Sequence, residues 1–117
     1  MCARLRRDLL AAIKARDAVA VAALRSALSA IENAEAVEVF AAPDVVGSEH
    51  IAGATSGRAA EVERRALTDT DVRGLVQSQV DQRSMAAREY EELGRQGAAD
   101  RLRAEADVLR GYLPSSR

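Results

Sequence analysis

The stretch Ala18-Val19-Ala20-Val21-Ala22-Ala23-Leu24-Arg25-Ser26-Ala27-Leu28-Ser29-Ala30-Ile31-Glu32-Asn33-Ala34 decides the fold. Val21, Leu24, Leu28 and Ile31 recur at alternating intervals of three and four, which places their side chains on one stripe of an α-helix. Ala23, Ala27, Ala30 and Ala34 lie among them and leave room for a second helix to approach closely. The pattern predicts a helix over Ala18–Val39 whose apolar stripe is the seam of an antiparallel helical hairpin.

Upstream, Leu5, Leu9 and Ile13 recur every four residues, with Leu10 and Ala12 beside them, and predict a helix over Ala3–Arg16. Asp17 stands where a side-chain carboxylate can cap the following helix. A link as short as Arg16-Asp17 makes the two helices antiparallel neighbours. Downstream, Pro43, Gly47, Gly53 and Gly57 interrupt the pattern, and residues 41–60 are expected to form a flexible surface loop. Residues 41–58 offer little apolar surface to offset chain entropy, so they are expected to be mobile and dispensable for folding.

The run Leu67-Thr68-Asp69-Thr70-Asp71-Val72 opens a third helix, with a capping residue followed by acids that complement the helix dipole. Val72, Leu75, Val76 and Val80 begin its stripe, and Ala86, Ala87, Tyr90 and Leu93 continue it, with Gln79 and Arg83 near the same face. Gly94 is a C-terminal stop, and Arg95-Gln96-Gly97 is the expected turn. A fourth helix is predicted over Ala98–Tyr112 with a stripe of Leu102, Ala106, Leu109 and Leu113, ended by Pro114. The fold class is therefore all-α: a single domain over residues 1–117, built as a small antiparallel bundle of about four helices in two hairpins. The expected core joins the stripes Leu5/Leu9/Ile13, Val21/Leu24/Leu28/Ile31, Val72/Leu75/Val76/Val80 and Leu102/Leu109/Leu113.

Phe40, Tyr90 and Tyr112 are the complete aromatic set, so such a core must be aliphatic and alanine-rich. Net charge is −1 but unevenly spread. Residues 1–28 carry Arg4, Arg6, Arg7, Lys14, Arg16 and Arg25 against Asp8 and Asp17, whereas residues 29–57 carry acids and no Lys or Arg. No apolar run is long enough to span a bilayer, and the N-terminus lacks the apolar segment of a secretory signal, so a cytoplasmic location is expected. Lys14 as sole lysine among many arginines, with abundant alanine, hints at a bacterial source.

Cys2 alone builds neither a disulfide nor a cysteine metal site, and His50 has no second histidine or cysteine nearby. No phosphate-cradling glycine loop, HExxH or CxxC occurs. The pairs Glu35/Glu38, Glu61/Glu63 and Glu89/Glu92 lack the apolar setting that perturbs a carboxyl group. No catalytic residue, metal ligand or cofactor site is assigned. Arg25, Asn33, Glu35, Arg83 and Tyr90 are polar groups close to apolar stripes. They either lock the bundle, a buried arginine requiring a carboxylate partner, or present a surface to a partner.

Several segments then resemble one family in order and spacing. Leu9-Leu10-Ala11-Ala12-Ile13-Lys14-Ala15-Arg16-Asp17 is similar to the opening signature of the GatB/YqeY family, and Ala23 to Glu35 resembles its second-helix signature. Leu67 to Val72, Gln82-Arg83, Tyr90-Glu91, Gly94-Arg95 and Leu109-Arg110-Gly111-Tyr112-Leu113-Pro114 follow in family order. The resemblance implies a helical module shared with the tail of the B subunit of the glutamine-dependent tRNA amidotransferase, a carbon–nitrogen ligase. In that enzyme the tail helps hold tRNA and the chemistry lies elsewhere. YqeY-like proteins carry the module without the catalytic domains.

The implied function is a non-catalytic accessory module with weak tRNA binding, with Arg4, Arg7, Lys14 and Arg25 as candidate phosphate contacts. The alternative is a helical protein-interaction module that binds no RNA. The family continues past the Tyr112-Leu113-Pro114 motif into a smaller helical subdomain associated with tRNA contact. That subdomain is expected to be absent here, and the 40–60 insert is longer and richer in glycine than in many relatives.

Overall fold

The computed structural model describes the backbone of residues 1–41 and 67–114 and the side chains of residues 1–36 and 67–114. The expected 41–60 loop therefore lies outside the described residues, except that Ala41 is the last residue of a helix. Four helices are described: α1 (Cys2–Ala15), α2 (Ala18–Ala41), α3 (Asp69–Glu92) and α4 (Gln96–Arg110). The described residues contain no strand.

Local chemistry sets the two described turns. α1 stops where Arg16 turns left-handed, with φ of 60° and ψ of 37°. The Arg16 and Asp17 amides then donate to the carbonyls of Ile13 and Ala12, satisfying groups the helix end would otherwise leave bare. Asp17 caps the next helix as expected, its carboxylate accepting from the Ala20 amide at 3.1 Å. At the other hairpin, Gly94 takes φ of 78°, a conformation an L side chain resists, and the Arg95 amide returns to the Tyr90 carbonyl at 2.8 Å. The expected Arg95-Gln96-Gly97 turn is corrected: Arg95 caps α4, which begins at Gln96 and ends at Arg110, two residues earlier at each end than predicted. The left-handed Gly94 already reverses the chain, so no further turn residue is needed.

α3 starts from a capping box. The Thr68 hydroxyl accepts from the Asp71 amide at 3.0 Å, and the Asp71 carboxylate accepts from the Thr68 amide at 3.1 Å. α3 and α4 run antiparallel: Glu91 meets Arg103 near the turn, and Ser84 meets Arg110 farther from it. The most extensive helix contact is between α3 and α4, and α2 touches each of the other three helices. α2 is therefore the central element.

The core joins Leu5 and Ala12 of α1, Ala23, Leu24, Ala27, Leu28 and Ile31 of α2, Val72, Val76 and Val80 of α3, and Ala106 and Leu109 of α4. Ala23 and Ala27 of the central helix are fully covered, which is what lets the other helices come close there. Two expected core positions, Ile13 and Leu102, and one expected stripe position, Leu93, are corrected. Ile13 is 44% exposed, because α1 turns its Leu5/Ala12 edge, not its Leu5/Ile13 edge, toward α2. Leu93 is 71% exposed at the hairpin tip, beyond the reach of α4. Leu102 is half-buried, and Ala99, Ala106 and Leu109 carry the inner face of α4.

Candidate functional site: a polar seam between two helices

Between α2 and α3 the apolar interior gives way to a polar seam. α2 contributes Arg25, Ser26, Ser29 and Asn33, which share one face of that helix. α3 contributes Gln79, Gln82 and Arg83. Together they line an open groove of about 520 Å³.

Arg83 fixes the floor. Its Nε donates to Glu105 Oε1 of α4 at 3.0 Å, its Nη1 to Gln79 Oε1 at 2.8 Å, and its Nη2 to Ser26 Oγ of α2 at 2.9 Å. One guanidinium thus ties three helices. The side chains of Arg83 and Glu105 are 12% and 9% exposed, so the pair is held away from bulk water. The second oxygen of Glu105 accepts from Arg101 Nε at 3.2 Å, leaving neither carboxylate oxygen without a donor. Among the described residues, no buried side-chain nitrogen or oxygen lacks a partner.

A second polar cluster joins the chain's two ends. The Tyr112 hydroxyl donates to Asp8 Oδ2 of α1. The Arg4 guanidinium lies 4.5 Å from the centre of the Tyr112 ring and donates to the Gly111 carbonyl at 3.4 Å. Desolvation, then the hydrogen bond to the Asp8 carboxylate and its negative charge, raises the Tyr112 phenol from 10.0 to about 12, against the opposing pull of Arg4 and Arg7.

The five family-motif residues divide. Arg25, Asn33 and Arg83 share the groove, while Glu35 and Tyr90 are half-buried and do not line it. Of the four candidate phosphate contacts, Arg25 is exposed at the groove and has no ion pair or hydrogen bond among the described residues, and Lys14 is likewise exposed and unpaired among them. Arg7 makes a 3.8 Å contact with Asp8 and stays 72% exposed, and Arg4 is engaged with the C-terminal turn. The four do not form a single cluster. Gln79 was expected beside Arg83, whereas Glu105, Ser26 and the Asp8–Tyr112 contact escape a reading of the sequence. The signal that could have led to Glu105 and Ser26 is Arg83 itself, a cation near an apolar stripe that had to find acceptors.

Among the described residues, no group of three or more His, Cys, Asp or Glu could hold a metal ion. His50 lies outside the described residues. No helix among them is long and apolar enough to cross a membrane.

The model of the YqeY-like proteins matches residues 50–116, more than half of the chain. The chain belongs to the YqeY-like protein family. The matched segment contains α3, α4, the Arg83–Glu105 pair and Tyr112, so the YqeY region supplies one wall of the groove. α1 and α2, with Arg25 and Asn33, precede it. No curated protein and no solved structure matches the chain.

Proposed function

We propose that this YqeY-like chain is a non-catalytic accessory module related to tRNA-dependent amidation, and that it contacts tRNA weakly through the cations of its first hairpin. The observation that carries this reading is an asymmetry of pairing. In the second hairpin four of the seven arginines, Arg83, Arg101, Arg103 and Arg110, are paired with carboxylates, while Arg73, Arg88 and Arg95 form no ion pair among the described residues. In the first, among the described residues, the only ion pair is the loose Arg7–Asp8 contact, leaving Lys14 and Arg25 free to neutralise phosphates. With three aromatic side chains in the whole chain, base stacking is scarce and binding is expected to be electrostatic.

The test is tRNA binding at two salt concentrations. Wild type should bind at low salt and weaken steeply as salt rises, and each lost phosphate contact should flatten the slope by about one unit. Charge reversal of Arg4, Arg7 and Lys14 should abolish most of the binding. Because Arg4 also holds the C-terminal turn, an Arg7→Glu/Lys14→Glu variant separates charge from folding. No binding at low salt, or unchanged binding by both variants, would sink the RNA reading.

A second reading is a protein-interaction module without RNA binding. It is supported by Leu10, 63% exposed, and Ile13, which share the outer face of α1 with Lys14.

A further inference from the structure

Where two helices pack, the facing positions are ordinarily apolar. Beside the buried Ala27 and Ile31 of α2 and Val76 and Val80 of α3, the edge of the α2–α3 seam carries serine, asparagine, glutamine and arginine, which with Ala30 line an open groove of about 520 Å³. The Arg83 network accounts for Ser26 and Gln79. It does not account for Arg25, Asn33 and Gln82, which are exposed at the groove and have no partner among the described residues.

These three groups have complementary chemistry. Among the described residues, Arg25 is a cation with no carboxylate beside it, and no Asp or Glu lines the groove. Asn33 and Gln82 each present a donor and an acceptor on a planar amide. They approach from opposite helices, so one ligand can meet both. Paired donors and acceptors on amides match the edges of nucleobases, while a guanidinium matches phosphate. The groove volume lies within the range of small-molecule sites, but its lining is polar, which suits a hydrophilic ligand.

We infer that the α2–α3 groove holds one ribonucleotide unit, its phosphate on Arg25 and its base edge between Asn33 and Gln82. The inference takes its ligand class from the RNA reading above, but it assigns a site apart from Arg4, Arg7 and Lys14. The ribonucleotide has two sources, a free nucleotide or one residue of an RNA strand. Arg83 acts as a positioning residue, because its bond to Ser26 sets the spacing of the two walls.

The test is a nuclear magnetic resonance titration of the full chain with adenosine and uridine 5′-monophosphates, inorganic phosphate and an oligoglutamate peptide, alongside tRNA binding. The nucleotides should shift the side-chain amide signals of Asn33 and Gln82 saturably, whereas inorganic phosphate should move the Arg25 signal alone. Arg25→Gln should weaken nucleotide binding on the order of tenfold, the equivalent of one charge-assisted hydrogen bond. Asn33→Ala with Gln82→Ala should erase any difference between the two bases. Circular dichroism should be unchanged in each variant, since these side chains hold nothing in place.

Equal shifts of the two amides by inorganic phosphate would overturn the inference in favour of a plain anion site. Equal shifts by oligoglutamate would overturn it in favour of an acidic peptide. If tRNA binds wild type and both groove variants alike, the groove inference falls and the RNA reading stands. If tRNA does not bind but the nucleotide shifts persist, the RNA reading falls and the groove is a free-nucleotide site.

Discussion

Tyr112 and Arg83 show how single polar side chains hold the chain together at long range. The Tyr112 phenol, hydrogen-bonded to Asp8, titrates at about 12 in place of 10.0. Its neutral form is the one the folded state favours, so the stability it contributes is complete below pH 10 and is lost as pH rises toward 12. Ultraviolet titration should reveal a tyrosinate transition near pH 12 that Tyr112→Phe removes, and the variant should lose less stability than wild type between pH 10 and 12. A late transition that survives the substitution would contradict the assignment. The Arg83–Glu105 pair is the more consequential contact because it is nearly dry. Glu105→Ala leaves a guanidinium without its counter-charge and should cost about 3 kcal/mol in chemical denaturation. Replacing both partners with Arg83→Met and Glu105→Leu should cost less than the two single changes combined, since no orphan charge then remains.

At the scale of the element, caps define where each helix begins and ends. Thr68 accepts the Asp71 amide at the start of α3, so Thr68→Ala should lower stability by about 1 kcal/mol. Arg16 ends α1 in a left-handed conformation, where a Cβ is disfavoured. Arg16→Gly should therefore raise stability by about 1 kcal/mol, in contrast to the usual effect of glycine inside a helix. Thermal melts of the two variants should move in opposite directions. A drop for Arg16→Gly would mean that the arginine side chain contributes more than its backbone conformation costs.

The whole molecule is a bundle arranged around α2, and its core separates residues that look alike in sequence. Leu5 and Ile13 belong to one predicted stripe, yet Leu5 is 0% exposed and Ile13 is 44% exposed. Leu5→Ala should cost about 2–5 kcal/mol, whereas Ile13→Ala should cost well under half of that. Leu28→Ala, at a buried site of α2, belongs with Leu5→Ala. Denaturant midpoints read with unchanged slopes would test all three. An Ile13→Ala loss equal to that of Leu5→Ala would restore the original stripe.

What the sequence determined by itself is local. The three-and-four spacing of Val21, Leu24, Leu28 and Ile31 is enough for a helix, because covalent geometry fixes which side chains share a face. Asp17, Thr68 and Gly94 were legible because a cap or a left-handed turn selects residue types within a few positions. The family resemblance was likewise carried by short ordered motifs. Tertiary structure decided which edge of α1 faces inward, since two overlapping stripes differ by a small rotation about the helix axis that only α2 can select. It also decided that Arg83 meets Ser26 and Glu105, and that Asp8 meets Tyr112, across 57, 22 and 104 residues of chain. Such partners are chosen by where whole helices lie, and polar atoms taken out of water must bond to whatever the packing brings within reach.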